Sequence, residues 1–99
     1  MFSHLVVFHT DPNQPEAADE LIAGANQHLK SIPGVQFYHI GKMFPTPRPV
    51  VDKSYQVALN TVFADSNAHD EYQAHPQQKE FVQKYFRRLC KKVVVYDFE

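Results

Sequence analysis

The chain has 99 residues, of which 43% are hydrophobic and 21% charged, and this composition is typical of one globular domain spanning residues 1–99. Its formal net charge of -1 excludes a general electrostatic attraction to nucleic acid or to an anionic membrane. The N-terminal segment has no basic region and only a short apolar run, Leu5 to Phe8. We therefore expect a cytoplasmic protein without a signal peptide or membrane span.

The first third of the chain predicts a strand followed by a helix. Phe2 to His9 is rich in β-branched and aromatic residues, and Asp11 with the prolines at 12 and 15 ends this strand and begins a helix. The helix presents one apolar face at helical spacing, made of Ala18, Leu21, Ile22, Ala25 and Leu29. Pro33-Gly34 ends it.

Two further strands flank a proline-rich loop. Val35 to Met43 predicts the second strand, and the alternation of Tyr55 to Phe63 predicts the third. Between them, residues 44–54 carry prolines at 45, 47 and 49, which cannot donate to a β-ladder. We interpret this loop either as an ordered flap near a pocket mouth or dimer contact, or as an exposed connector.

The last third predicts two helices and a strand. Asp65 or Ser66 caps a short helix that reaches His75, and Pro76 begins a longer one. The buried face of the longer helix contains Phe81, Val82, Tyr85, Phe86 and Leu89, and its last turn contains the cations Arg87, Arg88, Lys91 and Lys92. Cys90 is a small apolar residue of the same helix. Lys92 to Phe98 predicts the final strand.

The element order βαββαβ predicts an α+β, ferredoxin-like fold, with a four-stranded antiparallel sheet that carries its helices on one face. The other face is left open, and the final strand is an edge strand. This strand is apolar on both sides at Val93 to Tyr96, and such an edge aggregates unless something covers it. We therefore expect a homodimer in which a second copy packs on the open face and closes a dimeric α+β barrel.

Several short motifs, taken in order, give the whole chain a family likeness. They are His4-Leu5-Val6-Val7-Phe8, Ile32-Pro33-Gly34, Gly41, Tyr72-Gln73-Ala74-His75-Pro76 and Val95-Tyr96-Asp97-Phe98. With these motifs the chain resembles the stress-responsive dimeric α/β-barrel (Dabb) family. The resemblance implies a dimeric α+β barrel. The family includes plant stress proteins, uncharacterised bacterial proteins and a plant polyketide cyclase that forms olivetolic acid by aldol condensation.

The likeness to that cyclase implies roles for particular residues. Its working tyrosine corresponds to Tyr72, its first-strand histidine to His4, and its His-Pro pair to His75 and Pro76. Its catalytic histidine corresponds to Gln78, and glutamine cannot accept a proton at neutral pH. We therefore expect the chain to lack that cyclase activity.

A pocket on the helix side of the sheet is the expected site. The candidate catalytic residues are His4, which can exchange protons near neutral pH, and Tyr72, which can donate a hydrogen bond. The candidate ligand-binding residues are Val6, Phe8, Leu59, His75, Gln78, Val93 and Val95. Alternatively, His4 and Tyr72 are buried polar groups that hydrogen-bond to the backbone without any catalytic role.

Three functions follow from this site. The first is a homodimer that binds a small apolar or aromatic ligand, either as a binding protein or as a cyclase- or lyase-like enzyme. The second is a non-catalytic stress-related structural or interaction protein, and the third is a cofactor-independent monooxygenase of the same barrel fold. A cavity of a few hundred Å³ around His4 would favour the ligand-binding functions, and bulky side chains filling it would oppose them.

Other classes of site lack their sequence signatures. The six histidines show no HxH, HxxxH or HExxH spacing, so we expect no built-in metal site and no cofactor. The three glycines form no nucleotide-binding motif, and Tyr55 to Phe63 lacks the residues of an RNA-recognition strand. Cys90 is the only cysteine, which excludes an intramolecular disulfide and favours a buried apolar residue over a reactive thiol.

Overall fold

A computed structural model describes all residues, 1–99. The elements in chain order are β1 (Phe2–Thr10), α1 (Pro15–His28), β2 (Phe37–Lys42), β3 (Val57–Phe63), α2 (Ser66–Ala74), α3 (Pro76–Phe81), a π-helical turn (Val82–Phe86), α4 (Arg87–Leu89) and β4 (Cys90–Phe98). No helix has the length and apolar character needed to cross a bilayer.

The four strands form one antiparallel sheet in the order β2-β3-β1-β4. This order confirms the predicted α+β, ferredoxin-like fold and places β4 at an edge. The central strand β1 pairs with β3 on one side and with β4 on the other, so that His4 lies opposite Thr61 and Asp97. Side chains from three strands therefore meet at His4 on the helix side of the sheet.

The core lies between the sheet and the helices. Burial alternates along β1 and β3, and the buried residues of both strands face the helices. The core contains Val6, Phe8, Leu21, Ala25, Leu29, Val57, Leu59, Phe63, Tyr72 and Phe81. Each large side chain buried in this way contributes roughly 1.5–3 kcal/mol relative to exposure.

The opposite face of the sheet has no helix over it. Phe37, Tyr96 and Phe98 lie on this face and are 51%, 56% and 60% exposed. Single exposed apolar residues are ordinary on a protein surface, but three aromatic side chains on one sheet face are a mark of an interaction surface. On the helix side, Val93 and Val95 of the edge strand are also exposed.

The end of the last helix differs from the prediction. The helix stops at Leu89, and Cys90, Lys91 and Lys92 belong to β4 rather than to the helix. The cause is pairing with β1, because Cys90 lies opposite Thr10 and Lys92 opposite His9, with a bulge between the two pairs. The pairing of these residues with β1 outweighs the helical preference of their local sequence. β2 and β3 begin at Phe37 and Val57, each two residues later than predicted.

The loop of residues 44–54 is organised around Lys53. The Lys53 ammonium donates to the carbonyl oxygen of Thr46 at 2.9 Å and lies 3.5 Å from those of Arg48 and Val51. At its end, the Ser54 carbonyl accepts a hydrogen bond of 3.1 Å from His9 Nδ1, on the open face. The loop thus adjoins the open face and does not line the helix-side cavity. Within one chain it is no flap over that cavity, and its contact with a second copy stays a prediction.

Candidate functional site

A cavity of about 140 Å³ lies between the helix side of the sheet and the helical segments from α2 to the π-helical turn. Its lining residues are His4, Val6, Phe8, Leu29, Leu59, Tyr72, Gln73, Gln78, Phe81, Val82, Phe86, Val93 and Val95. Ten of the 13 are hydrophobic. Its wall therefore offers polar groups only from His4, Tyr72, Gln73 and Gln78. It is smaller than the cavities of about 300–1,000 Å³ that hold drug-sized ligands.

His4 is held in place by Asp97. The two residues lie directly opposite one another on β1 and β4, and His4 Nδ1 is 2.5 Å from Asp97 Oδ1. His4 is 4% exposed, whereas the Asp97 side chain is 41% exposed. An ionised carboxylate can only accept, so Nδ1 carries the proton and donates it to Asp97. The lone pair of the imidazole is then on Nε2, which makes no hydrogen bond within the chain.

His69 of α2 packs beside this pair. Its Nε2 lies 3.1 Å from His4 Nδ1, and its ring stacks on Phe2 with the centroids 4.6 Å apart. The Phe63 ring lies against it at 5.4 Å. Burial, assisted by the neighbouring His4, lowers the pKa of His69. The lowered pKa favours the neutral form of the His69 imidazole.

Tyr72, Gln73 and Gln78 provide the other polar groups of the cavity. Tyr72 is 1% exposed and its ring meets that of His4 edge-on at 6.3 Å. Burial raises the pKa of Tyr72 well above its usual value, so the phenol stays protonated and acts as a hydrogen-bond donor. Gln78 Nε2 donates to Gln73 Oε1 at 3.0 Å, while Gln78 Oε1 is buried and has no partner. A buried acceptor without a partner is costly unless a ligand supplies the donor.

The π-helical turn shapes one wall of the cavity. It spans Val82–Phe86, and both of its end residues line the cavity. A π-turn accommodates one extra residue in a helix and is frequent at functional sites. The apolar spacing of this segment predicts an ordinary α-helix, so the sequence gives no signal for the turn.

The structure brings most of the predicted site residues together. His4, Val6, Phe8, Leu59, Tyr72, Gln78, Val93 and Val95 all line the cavity. His75 does not line it, contrary to the prediction that it belongs to the ligand-binding set. It is the N-cap of α3, where its Nδ1 accepts a hydrogen bond of 3.1 Å from the Gln77 amide. The capping role follows from Pro76, which begins a new helix and leaves amides free to be capped.

Two residues beside the cavity, Asp97 and His69, were not predicted from the sequence. Asp97 follows Val95 on the same face of β4, and the ferredoxin-like strand order pairs β4 with β1. These two facts place Asp97 on the strand next to β1, and only the register of the two strands brings it opposite His4. His69 precedes Tyr72 by one helical turn and shares its face of α2, which is likewise readable from spacing.

Solved structures similar to this one share its fold. The protein At3g17210 of Arabidopsis thaliana is 26% identical, with a TM-score of 0.80 over 100% of this chain and 94% of that one. A dimeric ferredoxin-like protein of unknown function from Thermobifida fusca is 17% identical, with a TM-score of 0.77 over 98% and 88%. The hydroxynitrile lyase of Passiflora edulis is 19% identical, with a TM-score of 0.74 over 98% and 90%.

A comparison with curated proteins gives no significant match. The model of the stress responsive A/B barrel domain, by contrast, matches residues 2–99. This match spans nearly the whole chain and agrees with the sheet order and with the solved structures. The chain belongs to the stress-responsive A/B barrel (Dabb) domain family.

Proposed function

We propose that the chain is a cytoplasmic homodimer that binds a small, largely apolar ligand in the helix-side cavity and transfers a proton to or from it through His4. The observation that carries this proposal is the His4–Asp97 pair at the wall of an otherwise apolar cavity. A carboxylate on Nδ1 fixes the imidazole tautomer and stabilises the imidazolium that forms when Nε2 takes a proton.

The size of the cavity limits the ligand. An apolar cavity of about 150 Å³ is known to accept benzene, so a volume of about 140 Å³ suits a single six-membered ring. A linear polyketide is far larger. We therefore propose a monocyclic ligand with one oxygen atom that accepts a hydrogen bond from the Tyr72 phenol. A hydroxyl on the same ligand would provide the donor that Gln78 Oε1 lacks.

This arrangement supports the enolisation of a small ketone. His4 Nε2 takes a proton from the carbon next to the carbonyl, the electron pair moves to the carbonyl oxygen, and the Tyr72 phenol stabilises the developing enolate. The burial that keeps Tyr72 protonated is what makes it a donor here. Return of a proton from His4 closes the cycle without any co-reactant, and in D₂O the Nε2 proton is replaced by deuterium from the solvent before this return, so that deuterium enters the ketone.

The experiment is deuterium exchange of cyclohexanone in D₂O, followed by NMR. We expect exchange on the order of 10²-fold or more above buffer, which is the usual contribution of a positioned general base. His4→Gln should return the rate to that of buffer, and the matched variant His39→Gln, at an exposed histidine on the open face, should leave it unchanged. Val95→Phe should close the cavity, whereas Val50→Phe in the exposed loop should not.

Exchange that is not raised, or that survives His4→Gln, would reject the catalytic part of the proposal. Chemical-shift changes at Val95 without exchange would then indicate a non-catalytic binding protein. No shift with any monocyclic ketone or phenol would favour a structural or interaction role for the chain.

Cleavage of a small α-hydroxynitrile is a second candidate, because a hydroxynitrile lyase shares the fold. In such a cleavage a base takes the hydroxyl proton, the C–CN bond breaks, and cyanide leaves with the electron pair. His4 can serve as that base, but a shared fold alone does not establish a shared reaction. Acetone cyanohydrin is small enough for the cavity, and release of cyanide that depends on His4 is the test.

The proposed dimer rests on the open face of the sheet. Phe37, Tyr96 and Phe98 are each more than half exposed there in the single chain. A second copy packed face to face would remove them from water and protect the apolar edge strand. The related fold from Thermobifida fusca is described as dimeric, which supports the same assembly here.

A further inference from the structure

Three side chains that commonly bind metal ions meet beside the cavity. They come from separate elements, with His4 on β1, His69 on α2 and Asp97 on β4. One ligand atom from each lies within 4.8 Å of the others. Sequence spacing gives no sign of this cluster, because motifs such as HxH or HExxH describe only ligands close together in the chain.

The hydrogen bonding of this cluster leaves a conflict that a cation would remove. His4 Nδ1 lies 2.5 Å from Asp97 Oδ1 and 3.1 Å from His69 Nε2, yet it has only one proton or one lone pair to offer. If Nδ1 donates its proton to Asp97, it has no second proton to donate to His69 Nε2. If it accepts from His69, its lone pair faces the carboxylate oxygen. A cation would use all three groups as donors of electron pairs.

The surroundings of His69 resemble those of a metal-binding imidazole. While Nε2 points to His4, the other ring nitrogen, Nδ1, lies 3.8 Å from Asp70 Oδ1. Metal-binding histidines characteristically direct their second nitrogen to a carboxylate, directly or through water. Phe2 and Phe63 cover the ring, which limits its motion and excludes water. The side chains of His4 and His69 are only 5% and 9% exposed.

We propose that His4, His69 and Asp97 form a binding site for a divalent transition-metal ion such as Zn²⁺, Co²⁺ or Fe²⁺. Two imidazoles and one carboxylate are ligands that these ions accept, whereas Mg²⁺ and Ca²⁺ prefer oxygen ligands alone. Nitrogen ligands bind zinc at about 2.0–2.1 Å, so neighbouring ligand atoms of a tetrahedral site lie roughly 3.3 Å apart. His4 Nδ1 and Asp97 Oδ1, which are 2.5 Å apart, must therefore separate, and the exposed Asp97 on an edge strand can provide this movement.

This site goes beyond the proposed function and competes with it. The ion would replace the proton on His4 Nδ1, and the neutral imidazole would then carry its proton on Nε2. A protonated Nε2 cannot act as a base. Metal binding and proton transfer are thus alternative states of one histidine. Metal ions should inhibit the exchange of cyclohexanone at the concentrations at which they bind.

The test is titration of the untagged, chelator-treated chain with Co²⁺, followed by the visible absorption of the bound ion, with Zn²⁺ binding measured by calorimetry. We expect one ion per chain. His69→Leu, which fits the aromatic surroundings, and Asp97→Asn should each weaken binding by about 10-fold or more. His39→Ala should have no effect, since His39 is an exposed residue on the open face.

A lack of Co²⁺ uptake by the wild-type chain would overturn the proposal. So would uptake that is equally strong in His69→Leu and Asp97→Asn, which would indicate binding by other histidines. His69→Leu keeps the His4–Asp97 pair. Ketone exchange that persists in this variant would support the proposed function, whether or not the wild type binds a metal ion. The two proposals can therefore fail independently of one another.

Discussion

The ring of Tyr85 lies directly against Gly24 of α1. A β-carbon built on Gly24 would be 2.5 Å from two carbon atoms of the ring and 2.7 Å from a third. Tyr85 belongs to the π-helical turn, and its hydroxyl reaches Gln27 Oε1 at 3.4 Å. The missing side chain at Gly24 therefore lets the cavity-forming helix approach α1 closely.

Gly24→Ala should destabilise the chain even though alanine is the better helix former. The gain in helix propensity is about 1 kcal/mol, whereas forcing a methyl group into a packed contact typically costs about 1–3 kcal/mol and would displace the π-turn. Urea denaturation should show a lower midpoint. Asn26→Ala, at an exposed position of the same helix, is the control and should be neutral or slightly stabilising. A more stable Gly24→Ala would show that the Tyr85 ring moves away freely.

The chain should be dimeric at micromolar concentration by light scattering, with an interface of roughly 1,600 Å² or more. Phe98→Asp places a charge on the open face and should shift the mass towards the monomer. Gln83→Asp, at an exposed helical position, should leave the mass unchanged. A monomeric wild type would remove the proposed barrel.

Wild-type protein should not cyclise a linear polyketide to an aromatic acid. Gln78 cannot take a proton, and a cavity of about 140 Å³ cannot enclose such a chain. Gln78→His restores a base and should give at most a trace of product by chromatography. Cyclisation by the wild type that is abolished by Tyr72→Phe but insensitive to His4→Ala would contradict both the role of Gln78 and the choice of His4 as base.

Tyr38→Phe should be neutral or stabilising. The Tyr38 hydroxyl is buried without a hydrogen-bond partner, and burial raises its pKa to about 12. Removing an unsatisfied polar group removes its desolvation cost while the ring continues to pack. Thermal unfolding of the wild type and of Tyr38→Phe compares their stabilities. A loss of more than about 1 kcal/mol would reveal a partner, such as an ordered water.

Cys90 should react slowly with iodoacetamide. Burial raises the pKa of the Cys90 thiol from 9.0 to about 11. The raised pKa reduces the thiolate fraction at pH 8 by roughly 100-fold, and only the thiolate is the nucleophile. Alkylation measured by mass spectrometry should become fast in urea or above pH 11. Rapid alkylation of the folded chain at pH 8 would show an accessible, activated thiol.

The fold could be predicted because each element carries its own local pattern. The alternation along Tyr55 to Phe63 and the helical spacing of Leu21, Ala25 and Leu29 are local properties, and the βαββαβ order then restricts the topology. Much of the cavity followed as well, since His4, Val6 and Phe8 share a strand face. What could not be predicted depends on register. Asp97 meets His4 only because β4 pairs with β1 in one alignment, and a shift of one residue would turn it to the other face.

Asp97 belongs to an edge strand, and this ties the candidate site to the opening motions of that strand. An edge strand, which has a neighbour on only one side, opens locally at a lower free energy than the global unfolding transition. Each opening of the β1–β4 ladder at its Phe98 end would separate Asp97 from His4 while the rest of the core stayed folded. The amides of Tyr96 and Phe98 should therefore exchange hydrogen faster than those of β3. Their protection would measure the fraction of time for which the hydrogen bond between His4 and Asp97 is formed.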